Sequence, residues 1–148
     1  MNKTLTSLAV IAIGVSIYKN TQVPDGLGVD NRQLAKLPTS PNAVSSQTEQ
    51  ENKYVQPLEF EESLATSRRQ ILAILEQNPQ IIILEQTENY IHAVATSSIL
   101  KFKDDIEFYF DQEEEVIHFR SASRTGYWDF GVNRKRYNKL KGKYYHFY

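Results

Sequence analysis

The segment from Arg120 to Tyr137 carries the side chains best suited to chemistry in this sequence. It reads RSASRTGYWDFGVNRKRY and combines Arg, Ser and Gly without the apolar periodicity that packing alone would require. Guanidinium forks and hydroxyl donors together suit the recognition of a carboxylate or a phosphate. The candidate residues for binding an anion or an acidic partner are Arg120, Ser121, Ser123, Arg124, Asn133, Arg134 and Arg136.

A predicted last helix with Asn133 as its N-cap would add free backbone N–H groups beside these guanidinium groups, as an anion site requires. The alternative is that the Arg side chains pair within the fold, each charge-assisted hydrogen bond contributing about 1.5 to 3 kcal/mol. The candidate internal partners are Asp104, Asp105 and Asp129. Both interpretations hold if the fold neutralises only part of the basic charge.

Acid–base catalysis is a second possibility, in which these carboxylates act beside the Arg residues on a phosphate or carboxylate ester. Asp104 and Asp105 are adjacent, however, and neighbouring residues of a strand point to opposite faces. His92, His118 and His146 lack the spacing of metal ligands, and the chain has no cysteine. The sequence therefore predicts no metal site and no cofactor, and a non-enzymatic role is the first hypothesis.

Charge is distributed unevenly although the formal net charge is only −1. Seven acidic residues and no basic one lie between Asp104 and Glu115, whereas eight Lys or Arg and one acid lie between Val116 and Tyr148. The two blocks are expected to face each other or a ligand. Without a global positive field, nucleic acid is not an expected partner.

The N-terminus carries an uncharged apolar run, LTSLAVIAIGVSIY, from Leu5 to Tyr18. Its 14 residues match a signal-peptide core and fall short of the roughly 20 that span a bilayer. No small-x-small cleavage site follows it. The sequence therefore predicts a signal-anchor that attaches the protein to a membrane of the cell envelope, facing the periplasm or a thylakoid lumen. The alternatives are a cleaved secretory peptide and a buried core helix.

Periodicity in the remainder predicts one α+β domain. A helix is expected over 61–78, where Leu64, Ile71 and Leu75 share a face and Pro79 follows the end. Four strands are expected in meander order over 80–85, 90–96, 106–110 and 116–120, with the polar face of the third strand exposed to water. A helix from Asn133 closes the domain. The predicted division is 1–19 signal peptide or anchor, 20–53 polar tether or ordered loop, and 54–148 domain.

Several motifs resemble those of the bacterial and plastid-lineage family called domain of unknown function 1499. The resemblance spans about residues 26–141 and rests on these blocks: Ser40-Pro41-Asn42, Val44-Ser45-Ser46, Phe102, Asp104-Asp105, Glu107-Phe108, Arg120 to Arg124, Gly126, Asp129, Gly131 and Asn133 to Arg136. The family usually has Cys beside the Ser-Pro-Asn turn, where this chain has Leu37 and Ala43.

What the resemblance implies is an envelope-associated or thylakoid-associated domain without a known reaction or ligand. The expected partner is a protein or an anionic small molecule or lipid head group. The hypotheses are a membrane-tethered binding or assembly module, a small hydrolase, and a structural domain in which the Arg residues only pair internally.

Overall fold

The computed structural model describes residues 3–146 and has an α+β architecture. Its elements, in chain order, are α1 (Lys3–Thr21), β1 (Val29–Asp30), β2 (Gln33–Leu34), β3 (Ala43–Ser45), a 3-10 helix (Glu51–Lys53), β4 (Leu58–Glu59), α2 (Leu64–Glu76), β5 (Ile81–Gln86), β6 (Tyr90–Thr96), β7 (Lys103–Asp111), β8 (Val116–Ser123) and α3 (Val132–Tyr145).

The main sheet confirms the predicted meander and extends it. Strands β5, β6, β7 and β8 are antiparallel neighbours in sequence order, as expected. Two short strands then pair with the far side of β8: β3 opposite residues 120–122 and β4 opposite 116–117. Since β3 lies within the predicted tether 20–53, part of that segment belongs to the sheet.

One face of the sheet packs on α2 and α3 and forms the hydrophobic core. Alternate residues of β7 and β8 supply its centre, including Phe108 and Phe119, whose rings meet edge to face. The Ser63 hydroxyl accepts from the Thr66 backbone and begins α2. The fully buried side chains that these helices contribute include Ile71, Leu75 and Tyr144.

The opposite face of the sheet is also buried along β6, β7 and β8, which corrects the prediction of a wet face on the third strand. Residues 22–41, which we call the strap, cross it and cover its polar side chains. Leu34 of the strap packs on Tyr90 and Tyr109. The Gly28 N–H donates to a Glu107 carboxylate oxygen at 2.9 Å, and the Glu107 side chain is fully buried. The strap is therefore part of the domain.

Helix α1 contains the apolar N-terminal run and contacts the domain through one narrow face. The Asn20 side chain exchanges hydrogen bonds with the Lys101 carbonyl and the Lys103 N–H, each at 2.8 Å. Ser16, one turn earlier, hydrogen-bonds Thr125. Over residues 3–146, no helix is both long enough and apolar enough to cross a membrane.

Helix α3 begins two residues earlier than predicted, and Asn133 is not its N-cap. Gly131 occupies the N-cap in the left-handed region, with φ 74°. The Asp129 carboxylate accepts from the N–H groups of Gly131 and Asn133 and so satisfies the first turn. The Asn133 side chain is freed for contacts inside the fold.

Candidate anion-binding site

Charged side chains line the sheet face beneath the strap because successive residues of β7 and β8 point to opposite faces of the sheet. Asp105, Glu107 and Asp111 of β7 point to this face, as do His118 and Arg120 of β8. The intervening residues point to the helices. The acidic and basic blocks of the sequence therefore face each other across neighbouring strands.

Arg124 and Asp105 form a bidentate ion pair at one end of this row. The Nε and one terminal nitrogen of Arg124 each donate to a carboxylate oxygen at 2.8 Å, and both side chains are 2% exposed. His92 Nε2 lies 2.8 Å from the same carboxylate. Burial raises the pKa of Asp105, but the hydrogen bonds from Arg124 and His92 outweigh burial and hold that pKa below its ordinary value.

Arg120 and Glu107 form the second pair, directly opposite each other in the β7–β8 register. Arg120 donates to Glu107 Oε2 at 2.8 Å, and the Tyr90 hydroxyl donates to Oε1 at 2.8 Å. Burial and the neighbouring Glu107 charge raise the pKa of Tyr90 far above its ordinary value. Tyr90 is therefore a neutral hydrogen-bond donor at this site.

Arg120 nevertheless retains one unsatisfied donor. Its Nε is buried and has no hydrogen-bond partner among the described residues. A second terminal nitrogen lies 3.5 Å from the Lys36 carbonyl of the strap, at the limit for such a bond. A buried unpaired N–H of a charged group costs about 1 to 3 kcal/mol or more.

A cavity of about 320 Å³ opens between the strap and this end of the sheet. Its polar or charged lining includes Lys36, Arg120 and Arg124, with Asp105 as the acid. The apolar walls are Pro24, Leu37, Pro38 and Ala122. The cavity thus combines a cationic side with an apolar side.

The remaining anion-binding candidates lie mostly on the helix face of the sheet, so the structure separates the predicted set. Arg136 donates to Asp104 at 2.7 Å and to the Asn133 side-chain carbonyl at 2.7 Å. Asn133 in turn donates to the Asn42 carbonyl and to Ser123, and Ser121 hydrogen-bonds Asn133. This buried network ties α3 to β3 and β8.

Arg134 and Asp129 take other roles again. Arg134 donates to the backbone carbonyls of Asn52 and Tyr54 at 2.9 and 3.0 Å. Asp129 pairs with no Arg among the residues described, since its carboxylate caps α3 and accepts from Asn133. The three candidate carboxylates are therefore all engaged in holding the fold.

Asp111, Glu114 and His118 offer ligand atoms within 4.8 Å of one another at the opposite end of the row. Arg32 of the strap already compensates the negative charge of this cluster, because it donates to Asp111 at 2.7 Å and to Glu114 at 3.2 Å. Burial lowers the pKa of His118. The cluster fixes the β1–β2 turn against the β7–β8 turn.

Sequence reasoning missed Lys36, Glu107 and His92 as members of the site. Strand alternation could have identified two of them. Glu107 lies two residues from Asp105 on β7, and His92 lies opposite Glu107 on the neighbouring strand β6. Lys36 carried no such signal, since it reaches the cavity through the path of the strap.

A family model described as Protein of unknown function (DUF1499) matches residues 33–143, from β2 into α3. The match contains the whole main sheet and the ion pairs of Arg120, Arg124 and Arg136, and it agrees with the resemblance seen over about 26–141. No curated protein and no solved structure matches the chain.

Proposed function

The chain belongs to the DUF1499 family of proteins of unknown function, and we propose that it is a non-enzymatic binding module whose strap cavity takes a small anionic group. The module is attached to a membrane of the cell envelope or thylakoid through α1. The observation that carries the anion proposal is the unsatisfied Nε of Arg120, a buried cationic donor beside the cavity.

The charges around the cavity indicate what kind of anion it takes. Glu107 offsets Arg120 and Asp105 offsets Arg124, each at 2.8 Å, so these pairs contribute little net charge. The exposed Lys36 is left as the uncompensated cation of the lining. One negative charge is therefore favoured over the two of a phosphate dianion.

The apolar walls add a second requirement. Leu37, Pro38 and Ala122 give an anion with a short hydrocarbon body a surface on which to lie. Each methylene that it buries contributes about 0.8 kcal/mol. A short-chain carboxylate meets both requirements, and a lipid head group or an acidic side chain of a protein partner presents the same chemistry.

The other two hypotheses are less well supported. A hydrolase needs a free carboxylate beside the Arg residues, whereas Asp104 and Asp105 are bound to guanidinium groups and Asp129 to backbone N–H groups. A purely structural role accounts for Arg124 and Arg136. It does not explain the unsatisfied Arg120 Nε or the cavity that Arg120 lines.

The test is thermal unfolding of the full chain with acetate, butyrate, hexanoate and inorganic phosphate, and with hexanol as the uncharged match for hexanoate. We expect hexanoate to raise Tm more than acetate or phosphate, and hexanol to have no such effect. Lys36→Gln should remove most of the shift. Lys135→Gln is the matched control, because Lys135 is an exposed lysine that does not line the cavity.

Equal shifts in both lysine variants would contradict binding in the cavity. No shift with any anion would leave the structural role as the better explanation of the Arg residues.

A further inference from the structure

Two neighbouring loops place large apolar side chains in solvent at the end of the sheet where α1 is attached. Residues 97–102 connect β6 to β7, and residues 124–131 connect β8 to α3. The exposed members are Ile99 (87%), Leu100 (67%), Phe102 (46%), Tyr127 (62%), Trp128 (66%) and Phe130 (87%). We call these six residues the apolar end.

The backbone holds two parts of this surface in unfavourable conformations. Phe130 has φ 52° and Lys101 has φ 56°, in the left-handed region that residues with a Cβ adopt at a cost. The Phe130 side chain gains no burial in return. Tyr127 and Trp128 pack edge to face with ring centres 5.3 Å apart, yet both remain mostly exposed. The exposure of these large apolar side chains is explained if they contact another molecule.

Helix α1 lies beside the two loops. Ser16 and Asn20 lie one turn apart on the face that is bonded to the two loops. The large apolar side chains are distributed around the helix and do not form a single apolar face. They include Leu8, Ile11 and Ile17, each more than 60% exposed. Helix α1 thus adds exposed apolar side chains beside the apolar end.

The chemistry of the apolar end matches the interface of a lipid bilayer. Trp and Tyr have amphipathic rings that settle at the level of the head groups. The loop from Ser97 to Phe102 contains Lys101 and no acid, and Lys103 follows it. Asp129, the acid of the second loop, is occupied in capping α3. Lysines beside exposed aromatic rings suit a surface with anionic head groups.

We infer that the apolar end inserts into the head-group region of a membrane beside α1, which orients the domain with the β7–β8 turn pointing away. The inference rests on the membrane location in the proposed function and is independent of the strap cavity. It assigns the two loops a contact with lipid that the helix alone does not provide.

Trp128 reports directly on this contact because it is the single tryptophan of the chain. The full chain is mixed with vesicles of phosphatidylcholine, or of equal parts phosphatidylcholine and phosphatidylglycerol, with and without brominated acyl chains. We expect the Trp128 emission to shift to shorter wavelength and to be quenched by the brominated lipid, with stronger binding to the anionic vesicles.

A double variant, Leu100→Ser with Phe130→Ser, should partition about tenfold or more weakly, because two large apolar side chains no longer leave water. The matched control is Ile82→Ser with Leu84→Ser on β5, where the side chains are 62% and 50% exposed and belong to neither loop. The control should bind like the parent, and near-unchanged melting of both variants shows that they fold.

Flotation of the parent with vesicles while Trp128 stays unquenched would overturn the inference and leave attachment through α1 intact. Failure to float at all would overturn the membrane location as well. Burial of Trp128 without lipid, accompanied by self-association in sedimentation equilibrium, would assign the surface to a second copy instead.

Discussion

The guanidinium group of Arg124 holds both oxygens of the Asp105 carboxylate at 2.8 Å, with each side chain 2% exposed. Asp105 lies opposite Ala122 in the β7–β8 register, so Arg124 reaches it diagonally from just beyond the end of β8. Removing one member of such a pair leaves a buried charge uncompensated. Arg124, the last residue of the RSASR motif, is therefore accounted for by its contribution to the stability of the fold.

Arg124→Met should therefore lower the free energy of unfolding by about 3 to 5 kcal/mol, as measured by urea denaturation. The double variant Arg124→Met with Asp105→Leu should lose less than the single variant, because no charge is left unpaired. Arg134→Met is the control, since Arg134 makes exposed bonds to backbone carbonyls, and about 1 kcal/mol is expected. Equal losses at 124 and 134 would contradict the assigned roles.

The same carboxylate should make stability depend on pH. The folded pKa of Asp105 lies below its unfolded value, so its contribution is complete above the ordinary carboxyl pKa of about 3.9 and is lost as pH falls through the folded value. The stability difference between the parent and Asp105→Asn should therefore shrink as the pH falls below about 4. Asp30→Asn, at an exposed position, controls for loss of charge alone. A difference that stays constant would count against the prediction.

Truncation distinguishes a tether from a structural strap. A chain that begins at Gln22 keeps the strap and should unfold cooperatively. A chain that begins at Asn42 leaves Glu107, Arg120 and Asp111 without the strap contacts that bury or neutralise them. We expect it to lose its cooperative melt and its near-ultraviolet circular dichroism. Retention of both signals would show that the sheet folds without the strap.

Asn133 should be among the costliest polar positions of the domain. It is fully buried and its amide donates to the Asn42 carbonyl, to Ser123 and to Asp129. Asn133→Ala leaves several of these groups without a partner and should cost about 3 kcal/mol. Asn138→Ala, an exposed position on the same helix, should change stability by less than about 0.5 kcal/mol. Urea titrations of both variants give the comparison.

Much of the sheet was predictable because its longer strands carry their own pattern. Ile106, Phe108 and Phe110 alternate with acids and Tyr109, which identifies β7 and the face it turns to the helices. Strands β3 and β4, with three and two residues, are too short to carry such a signal. The strap could not be predicted from composition, since its polar residues resemble a linker until the paired charges beneath it are known.

The candidate site was predictable in residue types but not in grouping. Alternation along β8 sends Arg120 beneath the strap and Ser121 toward α3, so neighbours in the motif serve different faces. Which acid meets which Arg depends on strand register, as in the direct pairing of Glu107 with Arg120. Register follows from three-dimensional packing, and the sequence alone left the partners of each Arg undetermined.

The path of the strap constrains the order in which the protein can fold. Gly28 meets Glu107 across 79 residues of chain, and the Lys36 carbonyl meets Arg120 across 84. Such distant contacts form slowly because a long loop must close first. During synthesis the strap emerges early and must wait unpaired until β7 and β8 are complete. The domain should therefore fold after its synthesis is nearly finished. The charged face beneath the strap should be the last part to be buried from water.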